Sequence, residues 1–276
     1  MANLRGQQRL RASQIEIEQM TEAGAIVREC QRELAARGSD IVSEVTAGAR
    51  AASEWRHYPD GDVYDPTSHA QYFYHMHGMS GRPLREHGHF HTFLRAEGMP
   101  VGVTPLLLPE LALPDVRTLP PQAPPLRRGA REEVSHLVAI ALDEQGEPIR
   151  LFTTNRWVTG ETWYRAADVI QMLDRFTIRL TAPSAVLNRW VGAMIRLFLP
   201  QIAALLHARD DTVMSWRRRR RTHVFEDPRL EVTSSIEIGL EAQLAFLERV
   251  RASALIRRVP HQLPPMGEGW GEGHAG

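Results

Sequence analysis

Seven of the twelve histidines fall in one short stretch: His57, His69, His75, His77, His87, His89 and His91. A uniform spread would put one or two there. The sharpest part is the segment 86–93, EHGHFHTF. As a β-strand it would project His87, His89 and His91 to one side and Gly88, Phe90 and Thr92 to the other. Same-side neighbours on a strand stand roughly 7 Å apart, and two imidazoles at that spacing can converge on one ion with bonds near ~2 Å. Neutral imidazole suits zinc, iron or copper, and no thiolate lies nearby to bias the choice. His87, His89 and His91 are therefore metal-ligand candidates, and Glu86 is a candidate acid/base beside them.

A fourth imidazole comes from further along. Residues 135–142 and 149–155 flank DEQGEP, a turn-forming sequence, and read as a hairpin. A four-residue loop would set Leu142 against Ile149, Ile140 against Leu151, Val138 against Thr153 and His136 against Asn155. One hairpin face then turns polar at its open end, where His136 could meet His89 or His91. After the hairpin, Asn155, Arg156 and Trp157 offer an amide, a bidentate anion clamp and a stacking surface for a small-molecule ligand; a pairing of Arg156 with Glu161 is the alternative. His69 and Tyr72 could line a wall of the same pocket.

These residues predict one transition-metal ion, zinc or iron, held by His89 and His91 with His87 or His136. An open position would remain for water or substrate. The competing reading is a non-catalytic binding or scaffold protein, whose histidines satisfy one another and the backbone inside the fold.

The elements that must position these groups follow from periodicity. Ala23, Ile26, Val27, Cys30 and Leu34 recur at helical spacing, and Gly38 marks a stop, so residues 1–50 form a helical N-terminal region. Asp65-Pro66 reads as a helix start, giving a short helix to about Met76. With strands near 86–95, 135–142, 149–155 and 231–238, and helices near 166–176, 185–206 and 239–251, the expected class is α+β. A small antiparallel sheet of about four strands would pack with helices. A single domain over 51–257 would carry a proline-rich insertion at 96–134, followed by a disordered tail at 258–276.

Composition narrows the chemistry. All 33 basic residues are arginine, so a Schiff-base lysine, the P-loop lysine and the kinase lysine are excluded. One cysteine, Cys30, permits neither an internal disulfide nor a cysteine-rich zinc site. Acidic and basic residues balance, so no net field draws the molecule to nucleic acid or membrane. The arginine run 217–221 follows a helix, where cations complement the C-terminal dipole, and a nucleic-acid partner is not expected. The opening residues are polar, and a cytoplasmic location is expected. Nothing in the sequence specifies an oligomeric state.

Three segments, HYPDGDVYDPTSHAQYFYH (57–75), EHGHFHTFLR (86–95) and LFTTNRWVTGETWY (151–164), together resemble an uncharacterised bacterial protein family, a domain of unknown function. The resemblance runs from about residue 54 to 247. It implies a bacterial, cytoplasmic origin and transfers no activity or catalytic residue.

Overall fold

The computed structural model describes residues 2–3, 13–47, 56–76, 85–106, 108, 133–220 and 223–258. Helix α1 (Gln14–Ala35) begins at a reciprocal cap: Ser13 Oγ accepts from the Glu16 amide while the Glu16 carboxylate accepts from the Ser13 amide. Its buried stripe, Met20, Ala23, Val27, Cys30 and Leu34, lies chiefly against α5 (Ala185–Leu197). The helical N-terminal region continues in the short α2 (Ile41–Thr46), capped by Asp40. Both helices share their apolar side chains with the main core.

The sheet has more strands than the four expected. Strands β2 (Tyr58–Tyr64), β3 (Ala70–Met76), β4 (Gly88–Arg95), β5 (Val134–Leu142), β6 (Pro148–Thr154) and β7 (Val232–Glu237) lie side by side in that order, each antiparallel to the next. A two-residue strand β1 (Ala2–Asn3) adds parallel to β7 at the far edge. Between β6 and β7 the chain forms α3 (Arg156–Thr159), α4 (Ala166–Leu173), α5 and α6 (Leu199–Arg220), and α7 (Leu240–Arg258) closes the order. The α+β class is as expected. Of the insertion expected at 96–134, residues 107 and 109–132 lie outside the described residues, as do the tail beyond 258 and His77.

The helix expected over 66–76 is a strand instead. The Asp65 carboxylate does accept backbone hydrogen bonds, from Thr67 at 2.8 Å and Ser68 at 3.3 Å, as a helix cap would. The turn it builds ends one residue later, where His69 takes φ 60° and releases the chain into β3. Residues 70–75, AQYFYH, are rich in aromatic side chains that suit a pleated surface. The two carboxylate-capped turns of a helix start and of a hairpin look alike in sequence.

Strands β2 to β7 each have one face toward the helices. Tyr72, Tyr74, Phe90, Val138, Ile140 and Leu151 enter the main core with Trp190 of α5. The long apolar run at 185–206 is two helices, α5 and α6, bent by 71° at their junction. Among the described residues no single helix is long and apolar enough to cross a membrane.

A candidate metal centre on the sheet face away from the core

Strand register places the histidines. Tyr74 pairs with Phe90, so the alternate residues His75 and His89, and Phe73 and His91, are directly opposed on the other face. On β5 the register shifts: Thr92 pairs with Val138, but Phe93 pairs with His136, leaving Leu137 as the extra residue of a bulge. A bulge re-aims the side chains beyond it. Without it, His136 would share the side of Val138 and Ile140 and face the helices. With it, His136 shares a face with His89 and His91.

The expected hairpin register holds at Ile140 and Leu151 and then departs, because a second irregularity sets Leu142 against Pro148 rather than Ile149. Asn155 does not oppose His136; its amide accepts from the Arg156 backbone and donates to the Val224 carbonyl.

His75, His89 and His91 each offer one ring nitrogen, and the three lie within 4.8 Å of one another. The Nε2 atoms of His89 and His91 are 3.0 Å apart. Two ligands on one tetrahedral ion at ~2.0–2.1 Å would stand roughly 3.3 Å apart, so a small opening of this pair admits an ion. His89 and His91 are almost wholly buried, while His75 keeps partial access to solvent as a residue although the cluster itself is buried.

Behind these rings stands a second set of partners. His89 Nδ1 donates to Glu86 Oε1 at 2.7 Å, and Arg150 Nη2 donates to Glu86 Oε2 at 2.5 Å. Burial would raise the Glu86 carboxyl, but His89 and Arg150 outweigh it and hold the group below the usual carboxylate range. With both oxygens engaged, Glu86 orients a ring, which is the part carboxylates play behind metal-bound histidines. His91 Nδ1 lies 3.0 Å from His136 Nε2. Burial, reinforced by the neighbouring imidazoles, holds His91 well below the ordinary histidine range. Burial and then the Arg209 charge push His136 down to about 3. Both rings are therefore neutral, the form in which imidazole ligates metals. The His136 amide donates to Glu161, whose carboxyl burial pushes up to about 7.

At the outer edge His57 lies flat on Phe73, with ring centres 3.6 Å apart, and its Nδ1 pairs with Asp62 at 2.8 Å. Asp62 adopts φ 59°, a costly conformation for a non-glycine residue. Its other oxygen accepts from Gln71. A second histidine–carboxylate pair thus flanks the cluster.

The other residues singled out by sequence are placed elsewhere. His87 turns to the core side, with Nδ1 2.8 Å from the Tyr74 hydroxyl. Gly88 makes room for that: a Cβ there would stand 2.6 Å from the same hydroxyl. Tyr72 is fully buried under the helices and donates to Asn188 Oδ1 at 2.6 Å. His69 sits at the β2–β3 turn against the Tyr64 hydroxyl. Arg156 pairs with Glu226, not Glu161, and the Trp157 indole donates to the Leu230 carbonyl. None of these five reaches the histidine cluster. His75 lies in the segment whose sequence reads as a helix; once 70–76 is a strand, its alternation with Phe73 finds it.

Fold and site together define an α+β protein whose antiparallel sheet carries a cluster of buried histidines on the face away from its helical core. The chain belongs to the family described as Domain of unknown function (DUF6969), whose model matches residues 21–238 and so runs from within α1 through β7 with every histidine of the cluster. No curated protein and no solved structure matches it significantly.

Proposed function

We propose that the protein binds one transition-metal ion, zinc or iron, through His75, His89 and His91. The observation that carries the reading is the convergence of three ring nitrogens within 4.8 Å, one of them backed by the Glu86 carboxylate. Three imidazoles and no thiolate form a neutral donor set suited to either ion. Three protein ligands leave a position for water or a small-molecule ligand, and the ion would polarise whatever occupies it. The partly accessible His75 marks the side from which a ligand would approach. A cytoplasmic setting belongs to the same proposal.

Elemental analysis of the purified protein, followed by reconstitution with zinc and with iron(II), tests it. About one equivalent of metal, lost on replacing His75, His89 or His91 by alanine, is expected. Well below one equivalent before and after reconstitution would rule the reading out. A second reading has its own support: the 3.0 Å contacts from His89 to His91 and from His91 to His136 let the rings satisfy one another without an ion. A scaffold of that kind would take up no metal in the same experiment.

A further inference from the structure

Across four strands the register aligns His75 with His89, His89 with Ala141, and Ala141 with Arg150. Only the methyl group of Ala141 separates the His89 and Arg150 positions on this face. In the next row His91 pairs with Ala139 and Ala139 with Phe152. The Arg150 guanidinium lies 4.2 Å from the centre of the Phe152 ring, and the same ring meets His89 edge-on at 4.9 Å. Arg150 is thus fixed in place beside the imidazoles.

Its donors are not used up. One Nη2 hydrogen bond goes to Glu86, while Nε is buried and has no hydrogen-bond partner among the described residues. Buried donors in folded proteins are nearly always paired, so an unpaired one next to a ligand site calls for an explanation. Charge balance supplies one. Arg150 and Glu86 neutralise each other, and three neutral imidazoles leave a bound dication uncompensated. A guanidinium linked to His89 through one carboxylate still suits a further carboxylate or phosphate group, which it can meet with its remaining N–H donors.

We propose that the centre takes an anionic ligand, and that Arg150 is the residue that holds the ligand's carboxylate or phosphate group; this rests on the metal reading above. The full-length protein loaded with cobalt(II) reports on it through its visible absorption, titrated with acetate and, separately, with inorganic phosphate. Saturable spectral change is expected with at least one of them, and the stronger response identifies the preferred oxyanion. Arg150→Met should weaken that binding about tenfold or more at full cobalt occupancy, and Arg150→Lys should weaken it less. Equal affinity in wild type and Arg150→Met, or no response to either anion, overturns the proposal. If the chain takes up no cobalt, the metal reading has failed separately. Thermal shifts of the metal-free protein with the same two anions then decide: a shift lost in Arg150→Met supports Arg150 as an anion site, and equal or absent shifts overturn it.

Discussion

His91 Nδ1 lies 3.0 Å from His136 Nε2, so the ring that faces His89 with one nitrogen is tied to β5 by the other. Neutral rings can satisfy this chain in one direction only. The ionised Glu86 accepts from His89 Nδ1–H, leaving His89 Nε2 to accept from His91 Nε2–H. His91 Nδ1 then accepts from His136 Nε2–H. An ion held by the Nε2 atoms of His89 and His91 needs both of them bare. The proton of His91 must move to Nδ1, and His136 must present an unprotonated Nε2 to receive its hydrogen bond. Zinc loading should therefore invert the tautomers of His91 and His136 together, which two-bond proton–nitrogen correlation spectra of the histidine rings resolve. A His136 spectrum unchanged by a full equivalent of zinc would contradict this ligand set.

His75 and His87 make a matched pair of tests. They stand on β3 and just before β4, but on opposite sides of the sheet: His75 within the cluster, His87 against the Tyr74 hydroxyl. Removing one of three ligands should lower metal affinity by orders of magnitude, so His75→Ala is expected to lose stoichiometric zinc. His87→Ala should retain it and lose about 1 kcal/mol of stability with its hydrogen bond. Zinc content after gel filtration, with urea unfolding of both variants, checks the pair. The reverse pattern would restore the grouping that simple alternation suggests.

How far the site could be read from sequence depends on how local its causes are. His89 and His91 were legible because strict alternation over 88–95 needs no knowledge of any other strand. His75 was not, because Asp65 forms the same carboxylate–amide bonds at a hairpin turn as at a helix start. His136 lies 45 residues from its partner His91, and its side of the sheet is set by a single extra residue, Leu137. A bulge depends on pairing geometry that no local pattern announces, so His136 meets His91 through the bulge and not through a hairpin register with Asn155. Glu86 precedes the strand, and its bond to His89 follows from the chain's approach to β4, which alternation does not describe.

Glu86→Gln isolates the orienting carboxylate. The amide keeps the volume and one acceptor oxygen but loses the charge shared by His89 and Arg150. Loss of a carboxylate partner behind a metal-bound histidine typically costs about 10–100-fold in affinity. Zinc affinity measured by competition with a chromophoric chelator should fall by that order. If Glu86 were instead a proton-transfer group with no part in holding His89, the variant would bind zinc as tightly as the wild type.

Glu161 gives the metal-free protein a pH signature. Its carboxyl rises from the ordinary 4.5 to about 7, first because it is buried, against the opposing pull of Arg209 and the His136 amide. Between those values the folded state holds a proton that the unfolded state has released, so stability falls as pH rises through the window. The contribution is fully present below about 4.5 and gone above about 7, an interval equivalent to about 3 kcal/mol. His136 acts in the opposite sense: its folded value near 3 means stability is lost as pH falls from 6.5 toward 3. The two partly cancel in the wild type, so a flat profile alone would be uninformative. Glu161→Gln removes only the first. The variant should therefore gain relative to wild type on going from pH 5 to pH 8, by up to about 3 kcal/mol, and below pH 6 it should show the uncompensated acid sensitivity of His136. Urea unfolding at both pH values in the presence of a chelator measures the difference directly. Parallel profiles for the two proteins would mean that Glu161 is ionised throughout and that its hydrogen bond from the His136 amide offsets its burial.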